Sequence, residues 1–412
     1  MSSNEDPFKL AVIGGGIAGA GIARDAAMRG IRVVLFEKNT FGSGTSSKSS
    51  KLIHGGIRYL ELAWNALKQF QLKEFFRNLR FVSESLKESY YLEQMAPDLV
   101  QPICLCIPVY KNRGRSFPAV VFGACFYGFL ARLAKAKKGP EILGSSEAVL
   151  KRIPQLRKEN LRGAVMIWDH ISDDRKLVIQ TMQSAIRHGA TAFEKCPVES
   201  YRYLEDRNLY EIKTSHNGQA RLFYAHKLIN ASGPWVDKVR QSANEKTKDY
   251  ILPVAGSHIT LEAFTEHSVI LQARDNRVFF VIQFGGRARV GTTEWIHRDP
   301  DCISPREEDI QYLTDSLTYY FPEVSFDSKK ILSSDCGIRP LAKPQKSLSP
   351  TEISREHEVR IGPSGVLHVL GVKLTDHRRA AEQIIDSLIA DLGKDNPAIK
   401  KKSATAKTPL TN

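Results

Sequence analysis

The sequence predicts an α/β protein, a Rossmann-type nucleotide-binding domain interrupted by a mainly antiparallel α+β domain, and three observations carry that expectation. Residues 8–37 run strand, glycine turn, helix, strand within about thirty residues, the size of a βαβ unit. Strand-like and helical stretches then mix without internal repeats. The chain closes on a short apolar strand, Gly365-Val366-Leu367-His368-Val369-Leu370-Gly371, and an amphipathic helix from about Asp376 to Leu392. On this pattern segments 8–96, 140–245 and 336–395 form the nucleotide-binding domain. Segments 97–139 and 246–335 form the second domain, and 396–412 is expected to be a disordered basic tail.

Lys9-Leu10-Ala11-Val12-Ile13 is the first strand and leads into Gly14-Gly15-Gly16-Ile17-Ala18-Gly19. Gly14 permits the tight turn, Gly16 lets a pyrophosphate approach the backbone, and Gly19 lets the helix pack close to the strand. The helix runs from about Ile17 to Arg29, and its free amides suit phosphate charge. Gly30 ends it, and Ile31 to Phe36 forms a second strand that delivers Glu37, where an acid accepts hydrogen bonds from an adenosine ribose. An acid there disfavours a ribose 2′-phosphate. The spacing itself does not separate FAD from NAD.

Further helices are expected over Asn65 to Glu88 and Lys176 to His188. Strands are expected over Ile103 to Val109, His226 to Ala231, Ser257 to Leu261, Arg277 to Phe284 and Ala288 to Gly291. The longest apolar run, Phe117 to Leu130, falls short of the roughly 18 residues a spanning helix needs. It reads as a buried helix or as one lying in a membrane interface with Arg132, Lys135, Lys137 and Lys138 toward headgroups.

The chain has 412 residues, 42% hydrophobic and 25% charged, which excludes a disordered, collagen-like or polytopic membrane protein. A net charge of +14 favours anionic partners without choosing among them. No aromatic-and-basic recognition motif supports nucleic acid. The polar, acidic start carries no secretory signal, and six sparse cysteines make no disulfide framework. Cys104 and Cys106 alternate along a strand, in neither a redox nor a metal-ligand spacing. A cytoplasmic setting follows as the expectation, with membrane association at the cytoplasmic face left open.

After Glu37 comes Phe41-Gly42-Ser43-Gly44-Thr45-Ser46-Ser47-Lys48-Ser49-Ser50-Lys51-Leu52-Ile53-His54-Gly55-Gly56-Ile57-Arg58-Tyr59-Leu60-Glu61, a hydroxyl-rich loop ending in a glycine pair. This stretch closely resembles the FAD-dependent glycerol-3-phosphate dehydrogenases of the glycine/D-amino-acid oxidase superfamily. The likeness continues through Ala96-Pro97-Asp98-Leu99-Val100, Pro108-Val109-Tyr110, Asp173-Asp174-Arg175-Lys176-Leu177, Ala231-Ser232-Gly233-Pro234-Trp235-Val236, Gly256-Ser257-His258-Ile259, Gly291-Thr292-Thr293-Glu294, Gly337-Ile338-Arg339-Pro340-Leu341 and Gly371-Val372-Lys373-Leu374-Thr375. It spans about residues 8 to 392. Departures are Val372 in place of a glycine, Glu294 in place of Asp, and Asp376-His377-Arg378 in place of hydroxyl and aromatic residues. The chain also stops where most members continue into a helical domain.

The resemblance implies FAD-linked oxidation of sn-glycerol 3-phosphate to dihydroxyacetone phosphate, with electrons passed to a quinone or another acceptor. It places Arg58, Tyr59, Arg339, Arg355 and Lys373 around the substrate. Several cations converging on one pocket repel each other unless an anion is bound, a physical reason to expect a phosphate there. His54 and His258 are the candidate bases, because imidazole titrates near working pH, and Arg339 is a stabiliser of the developing alkoxide. Gly14, Gly16, Gly19 and Glu37 hold the adenosine diphosphate portion of FAD. Ser46, Ser47, Ser50 and Leu52 line the path to the flavin, Val198 touches adenine through its backbone, and Ser232, Gly233 and Trp235 close over the pyrophosphate. Lys373, Leu374 and Thr375 lead into the last helix at the flavin. Two other readings stand beside this one: an FAD-dependent enzyme acting on another 2-hydroxy or amino acid, and a catalytically weak flavin-binding or membrane-surface protein. Oligomeric state is open, a homodimer included.

Overall fold

The computed structural model describes residues 6–111, 113–245, 248–344, 357–393 and 396–411, with the side chain of Arg58 left undescribed. In chain order the first unit is β1 (Phe8–Ile13), α1 (Ile17–Met28) and β2 (Val33–Phe36). There follow β3 (Leu52–Ile53), α2 (Ile57–Lys68), α3 (Leu72–Met95), β4 (Val100–Tyr110), α4 (Phe117–Leu133), β5 (Glu141–Leu143), α5 (Ser146–Arg152), β6 (Leu161–Ser172) and α6 (Asp174–Arg187). Next come β7 (Thr191–Phe193), β8 (Val198–Leu204), β9 (Leu209–His216), β10 (Gln219–Asn230), α7 (Val236–Ser242), β11 (Ile251–Glu262), β12 (Ser268–Gln272), β13 (Val278–Phe284), β14 (Arg287–Gly291) and β15 (Trp295–Ile296). The last elements are α8 (Glu307–Tyr320), β16 (Ile331–Ala342), β17 (Glu358–Ile361), β18 (Leu367–Leu370) and α9 (His377–Leu392).

Two sheets organise these elements. The first has strand order β17-β18-β10-β1-β2-β7, with β8 and β9 attached as an antiparallel extension of β10. Its centre is parallel: β10, β1, β2 and β7 run together, and β18 joins β10 in parallel. Strands β1 and β2 are buried almost throughout, as both faces of a parallel sheet require. Helices α1 and α9 pack side by side on this sheet, sharing one apolar core that holds Ile22, Ala26, Ile384 and Leu388. The second sheet runs β15-β11-β14-β13-β12-β4-β6-β3, with β16 on β11 and β5 on β6, and is almost wholly antiparallel.

Four sequence expectations need correction. Residues 161–172, expected with the nucleotide-binding domain, form β6 of the second sheet, because β6 pairs with β4 from Val100↔Ser172 to Tyr110↔Leu161. The helix expected over Asn65 to Glu88 breaks in two, since Phe70 turns left-handed with φ 57° between α2 and α3. Of the two readings of α4 the buried one is corrected: Ala124, Tyr127, Gly128 and Ala131 face inward while Phe122, Phe129 and Leu133 are exposed.

The fourth correction concerns the tail. Residues 396–411 are strapped over α1 instead of disordered. Arg24 donates to the Thr405 carbonyl at 3.3 Å and the Thr408 carbonyl at 2.6 Å, and Arg29 donates to the Lys401 carbonyl at 2.9 Å. Ile399 and Leu410 are buried in the same core as α1. The reason is polar satisfaction: Arg24 and Asp25 lie inside a helix buried on nearly every side, Arg29 caps its end and is buried too, and all three need partners there.

Candidate active site

The turn after β1 is built on glycines that leave no room for a side chain. Gly14 holds φ +107°, and a Cβ there would lie 2.7 Å from the Ala231 carbonyl oxygen. A Cβ on Gly19 would run into the Gly14 carbonyl. Helix α1 therefore starts hard against the strand, with its first turn facing the loop over residues 43–46. The Ile17 amide donates to Ser46 Oγ at 3.0 Å, and a Cβ on Gly16 would sit 3.2 Å from that same oxygen.

Glu37, at the end of β2, accepts from the Gly15 amide at 2.7 Å and the Asn39 amide at 2.8 Å. The carboxylate is thus held rigidly beside the glycine turn. A cleft of about 260 Å³ opens along these elements, and Gly14, Gly16, Glu37, Ser46, Val198, Ser232, Gly233 and Trp235 all line it. Val372, the departure in the last motif, lines it with Gly371. Backbone amides at a helix start, a turn whose Gly14 and Gly19 leave no room for a Cβ, and a fixed acid fit the adenosine diphosphate part of FAD.

The remaining cofactor candidates fall outside the cleft lining. Ser47 uses its hydroxyl on the Ser43 and Gly44 carbonyls at 3.4 and 3.1 Å, closing the turn. Leu52 is buried in β3. Thr375 Oγ1 accepts the His54 amide at 3.1 Å, tying the start of α9 to the end of the hydroxyl-rich loop. Lys373 Nζ lies 3.5 Å from the Tyr59 hydroxyl and 4.2 Å from the centroid of Phe81, so its ammonium rests on an aromatic floor.

On the second sheet, β11 and β16 pair so that His258 faces Asp335, Gly256 faces Gly337 and Val254 faces Arg339. Alternation puts all six on one face. The glycine pair removes side chains between His258 and Arg339, and the space is taken by the loop: a Cβ on Gly337 would lie 2.7 Å from the Lys48 Cβ. Arg339 donates to Thr292 Oγ1 at 2.8 Å and reaches Glu294 at 3.4 Å.

His258 Nε2 lies 3.0 Å from Ser50 Oγ, and its Nδ1 lies 4.0 Å from Asp335. Asp335 is gripped through both oxygens by Arg289, at 2.6 and 2.8 Å. Burial holds the His258 imidazole well below its ordinary range, and the charges of Arg289, Arg339 and Lys51 push it further down. The ring is therefore neutral at working pH. His54 is set differently: its Nδ1 accepts the Gly56 amide at 3.0 Å, so a neutral ring carries its proton on Nε2.

The structure thus brings His258 and Ser50 together, and Lys373 with Tyr59, while Arg339 is held by Thr292 and Glu294. Arg58 lies in the first turn of α2, and Arg355 lies outside the described residues. Sequence reasoning missed the Arg289–Asp335 pair behind His258, and it reached Thr292 only as part of the Gly291-Thr292-Thr293-Glu294 motif, without a role. No local spacing signals that pair, because its two residues meet only by cross-strand pairing.

Residues 9–374 match the FAD dependent oxidoreductase family. The chain is 32% identical over 394 residues to the aerobic glycerol-3-phosphate dehydrogenase of Bacillus subtilis, covering 94% of this chain and 68% of the relative. It is 34% identical over 401 residues to the enzyme of the same name from Staphylococcus aureus, covering 95% and 68%. Among solved structures it is similar to the glycerol-3-phosphate dehydrogenase from Bacillus halodurans complexed with FAD, with TM-score 0.75 and 27% identity over 98% of this chain and 67% of that one.

Proposed function

This chain belongs to the FAD dependent oxidoreductase family, and from that premise we propose that it oxidises sn-glycerol 3-phosphate to dihydroxyacetone phosphate and passes the electrons to a quinone or another acceptor. One observation carries the reading: a chain with the full dinucleotide cradle is similar over 94% of its length to a relative of that activity.

Bound FAD supplies the acceptor for the carbinol hydride. The protein's part is to hold the ester, take the hydroxyl proton and stabilise the oxygen left behind. Lys373 and Arg339, joined by Arg58 and Arg355, supply the charge for a dianionic phosphate and a developing alkoxide. Of the two candidate bases we favour His258. A proton acceptor must be neutral: burial keeps His258 so, and with the proton on Nδ1 its Nε2 lone pair faces the Ser50 hydroxyl 3.0 Å away, through which a proton can pass. His54 has its Nδ1 lone pair engaged by Gly56, which suits it to donate from Nε2. Hydroxyl proton and hydride together account for the two hydrogens lost by the alcohol.

We further propose a membrane-surface contact through α2, the start of α3 and α4. Trp64 and Phe122 meet with ring centroids 5.9 Å apart, which joins the outward faces of α2 and α4. Phe70, Phe76, Phe129 and Leu133 extend the exposed apolar face, and Lys68, Lys73, Lys135, Lys137 and Lys138 are exposed around it. Among the described residues no helix is long and apolar enough to cross a membrane.

Anaerobic mixing of the FAD-loaded protein with glycerol 3-phosphate tests the main reading by flavin bleaching. Bleaching by a 2-hydroxy or amino acid, with none by the phosphate ester, overturns it. Flotation with anionic vesicles at low salt tests the surface contact, and absence of flotation rejects it.

A further inference from the structure

Between β3 and α2 lie His54, Gly55 and Gly56. Two consecutive glycines are the most conformationally free pair a chain can place beside a functional side chain. Gly56 stands at φ +76°, and its amide is the donor that fixes the His54 ring through Nδ1 at 3.0 Å. Something must hold the glycines still for that bond to persist.

The structure supplies a polar relay for this purpose. The Gly55 amide donates to the Tyr127 hydroxyl oxygen at 2.9 Å, and the Tyr127 hydroxyl donates onward to Asp169 Oδ1 at 2.7 Å. Tyr127 comes from α4 and Asp169 from β6, both parts of the second sheet's packing, so the relay crosses from that scaffold to the loop carrying His54. Tyr127 is 1% exposed and Asp169 is 5% exposed. A buried carboxyl and a buried phenol cost free energy unless each is hydrogen-bonded, and here both are bonded in series and end on one backbone amide. The seat is also sterically closed: a Cβ on Gly55 would lie 2.5 Å from Leu86 Cγ and 2.8 Å from the Tyr127 hydroxyl.

We propose that Tyr127 and Asp169 are positioning residues that lock the Gly55–Gly56 turn and thereby aim the His54 imidazole into the active site. This inference rests on the reading above that His54 serves that site. Neither residue touches substrate; both act through the loop. Asp169 orients the Tyr127 hydroxyl so that its lone pair faces Gly55.

Stopped-flow reduction of the FAD-loaded enzyme, under anaerobic conditions, separates the limiting reduction rate from substrate affinity. Tyr127→Phe keeps the ring and removes only the hydroxyl, and is expected to lower the limiting rate about tenfold while substrate affinity and FAD content change less than about twofold. Asp169→Ala should match it. Asp169→Asn keeps an acceptor for the Tyr127 hydroxyl and should retain most of the rate, so the Ala and Asn pair decides the matter even if Tyr127→Phe folds poorly. In a double-mutant cycle with His54→Gln, the Tyr127→Phe effect should vanish once His54 is gone. Additive losses, or a wild-type rate in Tyr127→Phe, overturn the proposal.

A second readout needs no turnover. In protein labelled with ¹⁵N-histidine, the His54 Nδ1 signal, identified by its loss in His54→Gln, should shift in Tyr127→Phe and Asp169→Ala and hold in Asp169→Asn. An unmoved signal overturns the proposal. If glycerol 3-phosphate fails to reduce the wild-type flavin, the substrate reading fails instead, and the histidine signal still decides the relay.

Discussion

Trp235 donates its indole N–H to Asp301 at 2.6 Å, and this bond ties the loop after β10 to the loop after β15, one from each sheet. Lys38 and Lys238 each reach the same carboxylate at 2.6 Å, and the Lys38 ammonium sits 4.0 Å from the Trp235 ring centroid. Trp235, Lys38 and Lys238 all line the nucleotide cleft, so Asp301 fastens its mouth from outside. Burial would raise the Asp301 carboxyl, but the hydrogen bonds from Lys238, Lys38 and Trp235 outweigh it and hold it below the usual carboxylate range. Each exposed ion pair contributes only about 0–1 kcal/mol. Asp301→Asn is accordingly expected to speed FAD release about fivefold, the equivalent of roughly 1 kcal/mol. High salt should produce part of the same effect in the wild type. Flavin fluorescence on dilution measures it, and an unchanged release rate would show that the cluster does not retain the cofactor.

The glycines offer a sharper contrast. Gly19→Ala would drive a methyl group into the Gly14 carbonyl, so α1 must retreat from β1 and the amides that face the cleft move with it. Loss of FAD binding, and of several degrees of thermal stability, is expected. Gly123→Ala in α4 meets nothing within 4 Å and should raise stability by up to about 1 kcal/mol through helix propensity. Thermal melts and the flavin-to-protein absorbance ratio of the two variants check both signs. Equal FAD content in Gly19→Ala and wild type would remove the close approach from the account of binding.

The local grammar of the first unit was readable because every part of it is short-range. Gly14, Gly16 and Gly19 are called for by one turn, Glu37 by the strand that follows, and all line the cleft or pack beside it. What stayed hidden depends on distant partners. The polar, lysine-bearing tail reads as disordered by composition, yet Arg24, Asp25 and Arg29 sit in or at the end of a helix of otherwise small and apolar residues and must be covered by acceptors. Those three charges were the available signal. Strand β6 gave no such hint, since its pairing with β4 spans two helices, α4 and α5, and strand β5. The Arg289–Asp335 pair is visible only once β14 and β16 are laid on either side of β11.

His258 makes a prediction about pH. Its imidazole stays neutral well below the ordinary histidine range, first through burial and then through Arg289, Arg339 and Lys51. A base in that state loses function only when it is protonated, so the limiting rate of flavin reduction should pass through pH 6.5 without a break. The acid limb should lie at distinctly lower pH. His258→Asn is expected to lower that rate by about 10²–10⁴ while leaving FAD content intact. A rate unchanged in His258→Asn would remove it as the base.

Asp169 gives a stability test separable from catalysis. Burial pushes its carboxyl up to about 7, against the lowering effect of the Tyr127 hydroxyl bonded to it and of the nearby Gly55 amide. The folded protein therefore keeps a proton that the unfolded chain releases near its ordinary value of 3.8. With a raised acid, the stabilising contribution is complete below the unfolded value. It is lost as pH climbs toward 7 and constant above that. Asn cannot ionise, so the stability of Asp169→Asn relative to wild type should grow as pH rises from about 4 to 7 and then level off. At about 1.4 kcal/mol per unit, the total change is on the order of 4 kcal/mol at most. His368 and His377, both lowered to about 4 by burial, titrate alike in the two proteins and cancel in the difference. Urea midpoints measured from pH 5 to 8 supply the comparison. A difference that stays flat across that range would mean Asp169 is already ionised in the folded protein at pH 5.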